Sequence, residues 1–177
     1  MSLKERIYLT AKANVGETAW AKEKDRVARR NNLVHFREGE WKCNLFVYEV
    51  LLAAGCDIGT PNRYPHPSMR RYGVGALMYV EDKTPKDNHR PPCCIDWYNL
   101  KVNVAEYIGE GYEGRQNCEE GDIITDGNHI GIIASYDEDS DSGESFNATR
   151  VEVVLDGFGF GSGAIGEKRP VRIFRCI

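Results

Sequence analysis

No stretch of this sequence of 177 residues is apolar for long enough to cross a bilayer, and its most apolar window, residues 45–55, is interrupted by Glu49. There is no excess of positive charge: 23 Lys and Arg against 27 Asp and Glu leave a formal charge of −4. That balance argues against general nucleic-acid binding, which depends on neutralising phosphates. No two of the six cysteines are spaced C-x-x-C, so neither a zinc ribbon nor a dithiol redox motif is indicated. The opening residues, Met1-Ser2-Leu3-Lys4-Glu5-Arg6, lack the apolar core of a signal peptide. Internal repeats and low-complexity tracts are absent. The glycine-rich segment Phe158-Gly159-Phe160-Gly161-Ser162-Gly163 lacks the lysine and the ribose-binding acid of a phosphate loop and reads as a turn. Asp137, Asp139 and Asp141 alternate as in a calcium loop. Ser142 and Ala148, however, stand where such a loop needs a glycine and a bidentate acid.

What is present is a globular balance, 41% hydrophobic and 28% charged, in a length that suits one domain. Residues 1–30 form its N-terminal helical segment. The cysteines are 43, 56, 93, 94, 118 and 176. Two readings of them stay open: small buried hydrophobes, or one or two disulfides of an exported protein. If Cys43 is a free thiol, the remaining five cannot all pair within the chain. The sequon Asn147-Ala148-Thr149 matters only in a eukaryotic secretory route.

Residues 2–30, rich in Ala, Lys, Glu and Arg, predict one or two surface helices broken near Gly16, with the charges of Lys22 to Arg30 on an exposed face. Residues 31–40 read as a loop. A helix starts near Cys43, with Phe46, Val47, Val50, Leu51 and Ala54 on one face, and Gly55 stops it. Residues 56–92 hold most of the prolines and read as an irregular segment with a substrate-facing or lid role, containing a short helix around 68–77. Strands are expected at 123–125, 130–136, 150–155 and 171–174, with a turn at Asp126-Gly127-Asn128 and an acidic loop at 137–144. Helices followed by an antiparallel meander make an α+β fold.

Two short segments carry chemistry. In Trp41-Lys42-Cys43-Asn44-Leu45-Phe46-Val47, the cysteine falls in the first turn of a buried helix. Free backbone N–H groups and the positive end of the helix dipole favour its thiolate there, and its own N–H is available to an oxyanion. In Gly121-Asp122-Ile123-Ile124-Thr125-Asp126-Gly127-Asn128-His129-Ile130-Gly131, the histidine opens a strand after a tight turn, with room beside it at Gly131. An imidazole at a strand end can serve as base to a thiol on a neighbouring helix. His35, His66 and His89 sit in polar, loop-like surroundings.

A helix-start cysteine followed by the strands Gly-Asp-Ile-Ile and Asn-His-Ile-Gly-Ile-Ile resembles the papain-like peptidoglycan hydrolases of the NlpC/P60 and CHAP type. More narrowly, Thr18-Ala19-Trp20-Ala21-Lys22, Lys42-Cys43-Asn44-Leu45-Phe46-Val47, Ala53-Ala54-Gly55 and Arg90-Pro91-Pro92 with Trp97 look like the second family of type VI secretion amidase effectors and their domesticated eukaryotic relatives. The resemblance implies a papain-like fold of N-terminal helices packed on an antiparallel sheet. It also implies a hydrolase that cuts amide bonds in bacterial peptidoglycan stem peptides or crosslinks. Cys43 is then the nucleophile, His129 the base, and a polar residue on the next strand orients the imidazole. That strand is taken as 151–157, with Asp156 as the third residue and Glu152 as second choice. Trp41 and Tyr72 are expected to wall the cleft, and Arg63, Arg70 and Arg71 to meet substrate carboxylates. No metal or cofactor is called for. The implied site of action is outside the producing cell, in a target-cell periplasm or the extracellular space, and an immunity protein is the implied partner of a bacterial version. Cys93-Cys94 and the acidic loop depart from the family pattern. Two other uses stay open: a papain-like protease or deamidase acting on protein, and an inactive peptidoglycan-binding module.

Overall fold

The computed structural model of the protein describes residues 1–24, 26–27, 35–36, 38–56, 58, 91–99, 102, 105–157 and 170–177. It is an α+β fold. Helix α1 (Leu3–Lys12) starts from a reciprocal cap: Ser2 Oγ accepts the Glu5 N–H and Glu5 Oε2 accepts the Ser2 N–H, each at 3.2 Å. Among the described residues of 2–30, the helical expectation holds only for this segment. Beyond Ala13 the chain turns at Gly16, whose φ of 84° suits glycine. It is then tied to the sheet, with the Gly16 N–H on the Val153 carbonyl at 2.8 Å and the Val153 N–H on the Glu17 carbonyl at 2.9 Å. Backbone bonds to the sheet replace those of a continued helix. A two-stranded ribbon follows, β1 (Arg26–Val27) against β2 (His35–Phe36).

Helix α2 (Cys43–Ala53) begins where the sequence expects it. It is not amphipathic: every residue from Cys43 to Leu51 is buried, including Asn44, Tyr48 and Glu49. It packs against both α1 and the sheet and shares one apolar core with them. Leu45, Phe46, Val47, Val50 and Leu51 are each at most 1% exposed, and each contributes about 1.5–3 kcal/mol. That burial outweighs the cost of carrying Glu49 inside, where its Oε2 accepts the Trp20 indole N–H at 2.8 Å.

A one-turn helix, α3 (Cys94–Tyr98), precedes β3 (Ala105–Glu110) and α4 (Gly111–Gln116). The described elements that follow are strands: β4 (Ile123–Thr125), β5 (Ile130–Asp137), β6 (Ser142–Ala148), β7 (Val153–Gly157) and β8 (Arg172–Cys176). The six strands run in the order β3-β8-β4-β5-β6-β7, with every neighbouring pair antiparallel. The two faces follow the alternation of strand side chains. Ile123, Ile130, Ile132, Phe146 and Phe174 join α1 and α2, while Ile124, Ile133, Val171 and Ile173 form a second, smaller cluster.

Two sequence expectations are corrected. The segment read as an acidic loop at 137–144 is a four-residue turn, 138–141, flanked by the end of β5 and the start of β6, whose Phe146 pairs with Ile132. The strand expected at 150–155 starts only at Val153, because Thr149 closes a turn: its Oγ1 donates to the Glu152 carbonyl at 2.7 Å. The short helix expected near residues 68–77 and the glycine-rich turn at 158–163 lie outside the described residues. Among the described residues no helix is long and apolar enough to cross a membrane.

Candidate active site

The residues before α2 are fixed by an unusual anchor. Lys42, the N-cap, is 1% exposed. Its Nζ donates to the carbonyls of Glu40 at 3.0 Å, Ala21 at 3.2 Å and Lys22 at 3.5 Å. A buried ammonium is tolerated when its donors are met this way. The anchor ties the start of α2 to the segment around Trp20. A lysine side chain has no acceptor, so Lys42 makes no cap bond to the first-turn N–H groups of α2. Those groups surround Cys43.

Cys43 is 3% exposed and meets three partners. Its Sγ lies 3.7 Å from Cys94 Sγ, at the start of α3. The His129 side chain and the Ile130 backbone N–H also act on it. The Cys94 thiol acts most strongly on it, holding the Cys43 pKa well below the ordinary value. Burial opposes that, and the charge and hydrogen bond of His129 and the Ile130 N–H reinforce it. Burial pushes the half-buried His129 imidazole down, but the charge and hydrogen bond of Cys43 and the charge of Asp126 more than reverse this, so its pKa is raised. Lowered at sulfur and raised at nitrogen, the pair favours thiolate and imidazolium over thiol and imidazole. Cys94 moves the other way. Its hydrogen bond to Cys43, its burial and the charges of Cys43, Cys93 and Asp126 keep it a thiol.

His129 is the last residue of the four-residue turn, 126–129, that joins β4 to β5. Asp126 Oδ1 accepts the N–H groups of Asn128 at 2.7 Å and His129 at 2.8 Å. Thr125 Oγ1 donates to the His129 carbonyl at 2.6 Å and accepts the Gly127 N–H at 3.0 Å. Gly127, inside this turn, has φ of 87°, in the left-handed region that favours glycine. Asp126 is fully buried, and its Oδ2 has no hydrogen-bond partner. Two residues on from the histidine, a Cβ on Gly131 would overlap Asn147 Oδ1 and come within 2.9 Å of the Phe146 carbonyl. Gly131 therefore admits the close approach of β6.

Of the residues singled out in the sequence, Cys43 and His129 are brought together. Asp156 is not with them. The strand beside β5 is β6, and Asp156 stands one strand further out on β7, exposed, opposite Ser145. The sequence hides this because β6, Ser-Gly-Glu-Ser-Phe-Asn-Ala, has one large apolar residue and reads as connection. Glu152, the second choice, sits in the turn before β7. Trp41 is 51% exposed, with Lys22 Nζ 4.6 Å from its ring centroid. Arg63, Arg70, Arg71 and Tyr72 lie outside the described residues. The calcium-like aspartates are engaged otherwise: Asp141 takes two bonds from Arg115 at 2.8 Å each, and Asp137 accepts from Ser140. No group of three acidic, histidine or cysteine residues among those described could hold a metal.

Sequence reading missed two members of the cluster. Cys94 is separated from Cys43 by 51 positions and carries no motif. Asp126 was read only as a turn residue, although an aspartate three positions before the histidine was the available signal. Comparison with known proteins adds no relative to this geometry: no family model, no curated protein and no solved structure matches the chain.

Proposed function

We propose that the protein is a papain-like cysteine hydrolase of NlpC/P60 type that cleaves amide bonds in peptidoglycan stem peptides or their crosslinks, as an antibacterial effector or defence enzyme. The observation that carries the reading is the contact between Cys43, at the first residue of α2, and His129, at the mouth of β5, with sulfur and imidazole shifted toward the charged pair. Element order supports it too: a nucleophile-bearing helix precedes an antiparallel sheet whose hairpin delivers the base.

In this mechanism the Cys43 thiolate attacks the amide carbonyl carbon, forming the S–C bond. The oxyanion that develops is met by the Cys43 N–H, which no side chain of the N-cap engages. Asn44 Nδ2, buried beside it without a hydrogen-bond partner, is our choice for a second donor. The imidazolium of His129 gives its proton to the departing amine as the C–N bond breaks, and neutral His129 then activates water to hydrolyse the thioester. Asp126 supplies the negative charge that supports the imidazolium, the role that the sequence had assigned to Asp156.

The test is a digest of purified, crosslinked sacculi read by mass spectrometry. New amine and carboxyl termini in the stem peptides are expected with the wild-type chain. With Cys43→Ala they should fall by at least about 10³-fold while the circular dichroism spectrum is kept. Unchanged sacculi alongside cleaved protein substrates would move the reading to a protease, and full activity of Cys43→Ala would end it.

A further inference from the structure

The amide chemistry above makes no covalent use of a second thiol, yet Cys94 Sγ lies 3.7 Å from Cys43 Sγ. Its neighbour is directed elsewhere: Cys93 donates its N–H at 2.9 Å and its thiol at 3.2 Å to Asp96 Oδ2, forming the cap of α3. Of the adjacent pair, Cys94 therefore faces the nucleophile. Its backbone is held against β4, where Thr125 Oγ1 lies 3.5 Å from the Cys94 carbonyl oxygen. A disulfide needs the sulfurs to close from 3.7 Å to about 2.05 Å, a distance that side-chain rotation at two residues can supply.

We propose that Cys43 and Cys94 are a peroxide-reactive pair, in which a hydroperoxide oxidises Cys43 and Cys94 closes a Cys43–Cys94 disulfide that reversibly removes the nucleophile. The Cys43 thiolate attacks one peroxide oxygen. The S–O bond forms, the O–O bond breaks, sulfur loses two electrons, and the leaving hydroxide or alkoxide takes up a proton. Cys94 sulfur then attacks the sulfenic sulfur. The S–S bond forms, the S–O bond breaks, and hydroxide leaves as water with the Cys94 proton. The first step also prepares the second. What most holds Cys94 protonated is its hydrogen bond to Cys43 and, after burial, the charge of Cys43. Both are lost when Cys43 becomes a neutral sulfenic acid, so the Cys94 thiol becomes easier to ionise.

Formation of the Cys43–Cys94 bond needs the close sulfurs and a Cys43 thiolate but no amide chemistry, whereas its inhibitory effect rests on the proposed nucleophile.

The experiment treats the reduced full chain with a few equivalents of hydrogen peroxide, blocks remaining thiols with N-ethylmaleimide, and maps peptides without reduction. The expected result is a loss of about 2 Da, a peptide linking Cys43 to Cys94 located by fragmentation, and reversal by dithiothreitol. In Cys94→Ser, Cys43 should stop at a sulfenic acid trapped by dimedone and pass to a form that dithiothreitol does not restore. Absence of the linked peptide overturns the proposal, whether Cys43 is untouched, over-oxidised or joined to Cys93. Should Cys94→Ser fail to fold, the wild-type map decides. A mapped pair that leaves sacculus cleavage intact overturns the inhibitory half and, separately, the assignment of Cys43 as nucleophile.

Discussion

A carboxylate acts on an imidazole through distance and burial, and these separate Asp126 from Asp156. Asp126 is fully buried, binds the His129 N–H, and raises the His129 pKa; Asp156 is exposed on an edge strand. Asp126→Asn keeps an acceptor oxygen for the turn but loses the charge. The His129 pKa should then fall. Because protonated His129 is needed for the leaving amine, the alkaline limb of the kcat/KM profile should move to lower pH. Asp156→Asn should move neither limb, and a profile that shifts for Asp156 instead would reverse the assignment. Cys43 and His129 were legible because each combines an uncommon residue with a local signal, a helix start in one case and a turn in the other. Cys94 and Lys42 were not. The role of each depends on contacts made across the fold, and a lysine ordinarily reads as solvated.

At the level of elements, the sequence shows strands whose apolar residues are dense, as in Ile123-Ile124 and Ile130 to Ala134, and hides those that are polar. β6 holds its place by pairing on both sides, with β5 and β7, and by burying Phe146, so its own composition says little. Helix α2 was legible in position and wrong in character, because a hydrophobic face predicts one buried side and the packing of α1 and the sheet buries the rest. The link between β8 and the start of β4 is ionic. Arg175 Nε and Nη2 bind Asp122 at 2.9 and 2.8 Å, and the Asp122 side chain is 1% exposed. Burial raises the Asp122 pKa, and Arg175 and Lys4 oppose this without cancelling it. A carboxyl whose folded pKa is raised favours the fold most below its unfolded pKa, and that contribution is lost as pH rises through the folded pKa. Arg175→Met removes the counter-charge and raises the Asp122 pKa further. The variant should lose about 2–3 kcal/mol at pH 7, discounted for the partial exposure of Arg175. The deficit should shrink on acidification, as Asp122 becomes protonated. Urea titrations of both proteins at pH 7 and near pH 4.5 check this, and a deficit that grows on acidification would contradict it.

For the whole molecule, the order of helices before an antiparallel sheet was visible in the sequence, since hydrophobic period and turn residues change near residue 100. The strand order was not. β8, the last strand, inserts between β3 and β4, and no local pattern encodes such a long-range pairing. That arrangement, with the hairpin of β4 and β5 brought under the start of α2, makes neighbours of a sulfur and an imidazole 86 positions apart. The central claim is that these two groups form a thiolate–imidazolium pair, and the rate of Cys43 alkylation by iodoacetamide against pH tests it most directly. Wild-type Cys43 should react through a transition well below the ordinary thiol value of about 8.5. In His129→Ala the transition should rise, with the rate at pH 6.5 falling on the order of tenfold or more. A transition at the ordinary value, unmoved by loss of the imidazole, would contradict the account.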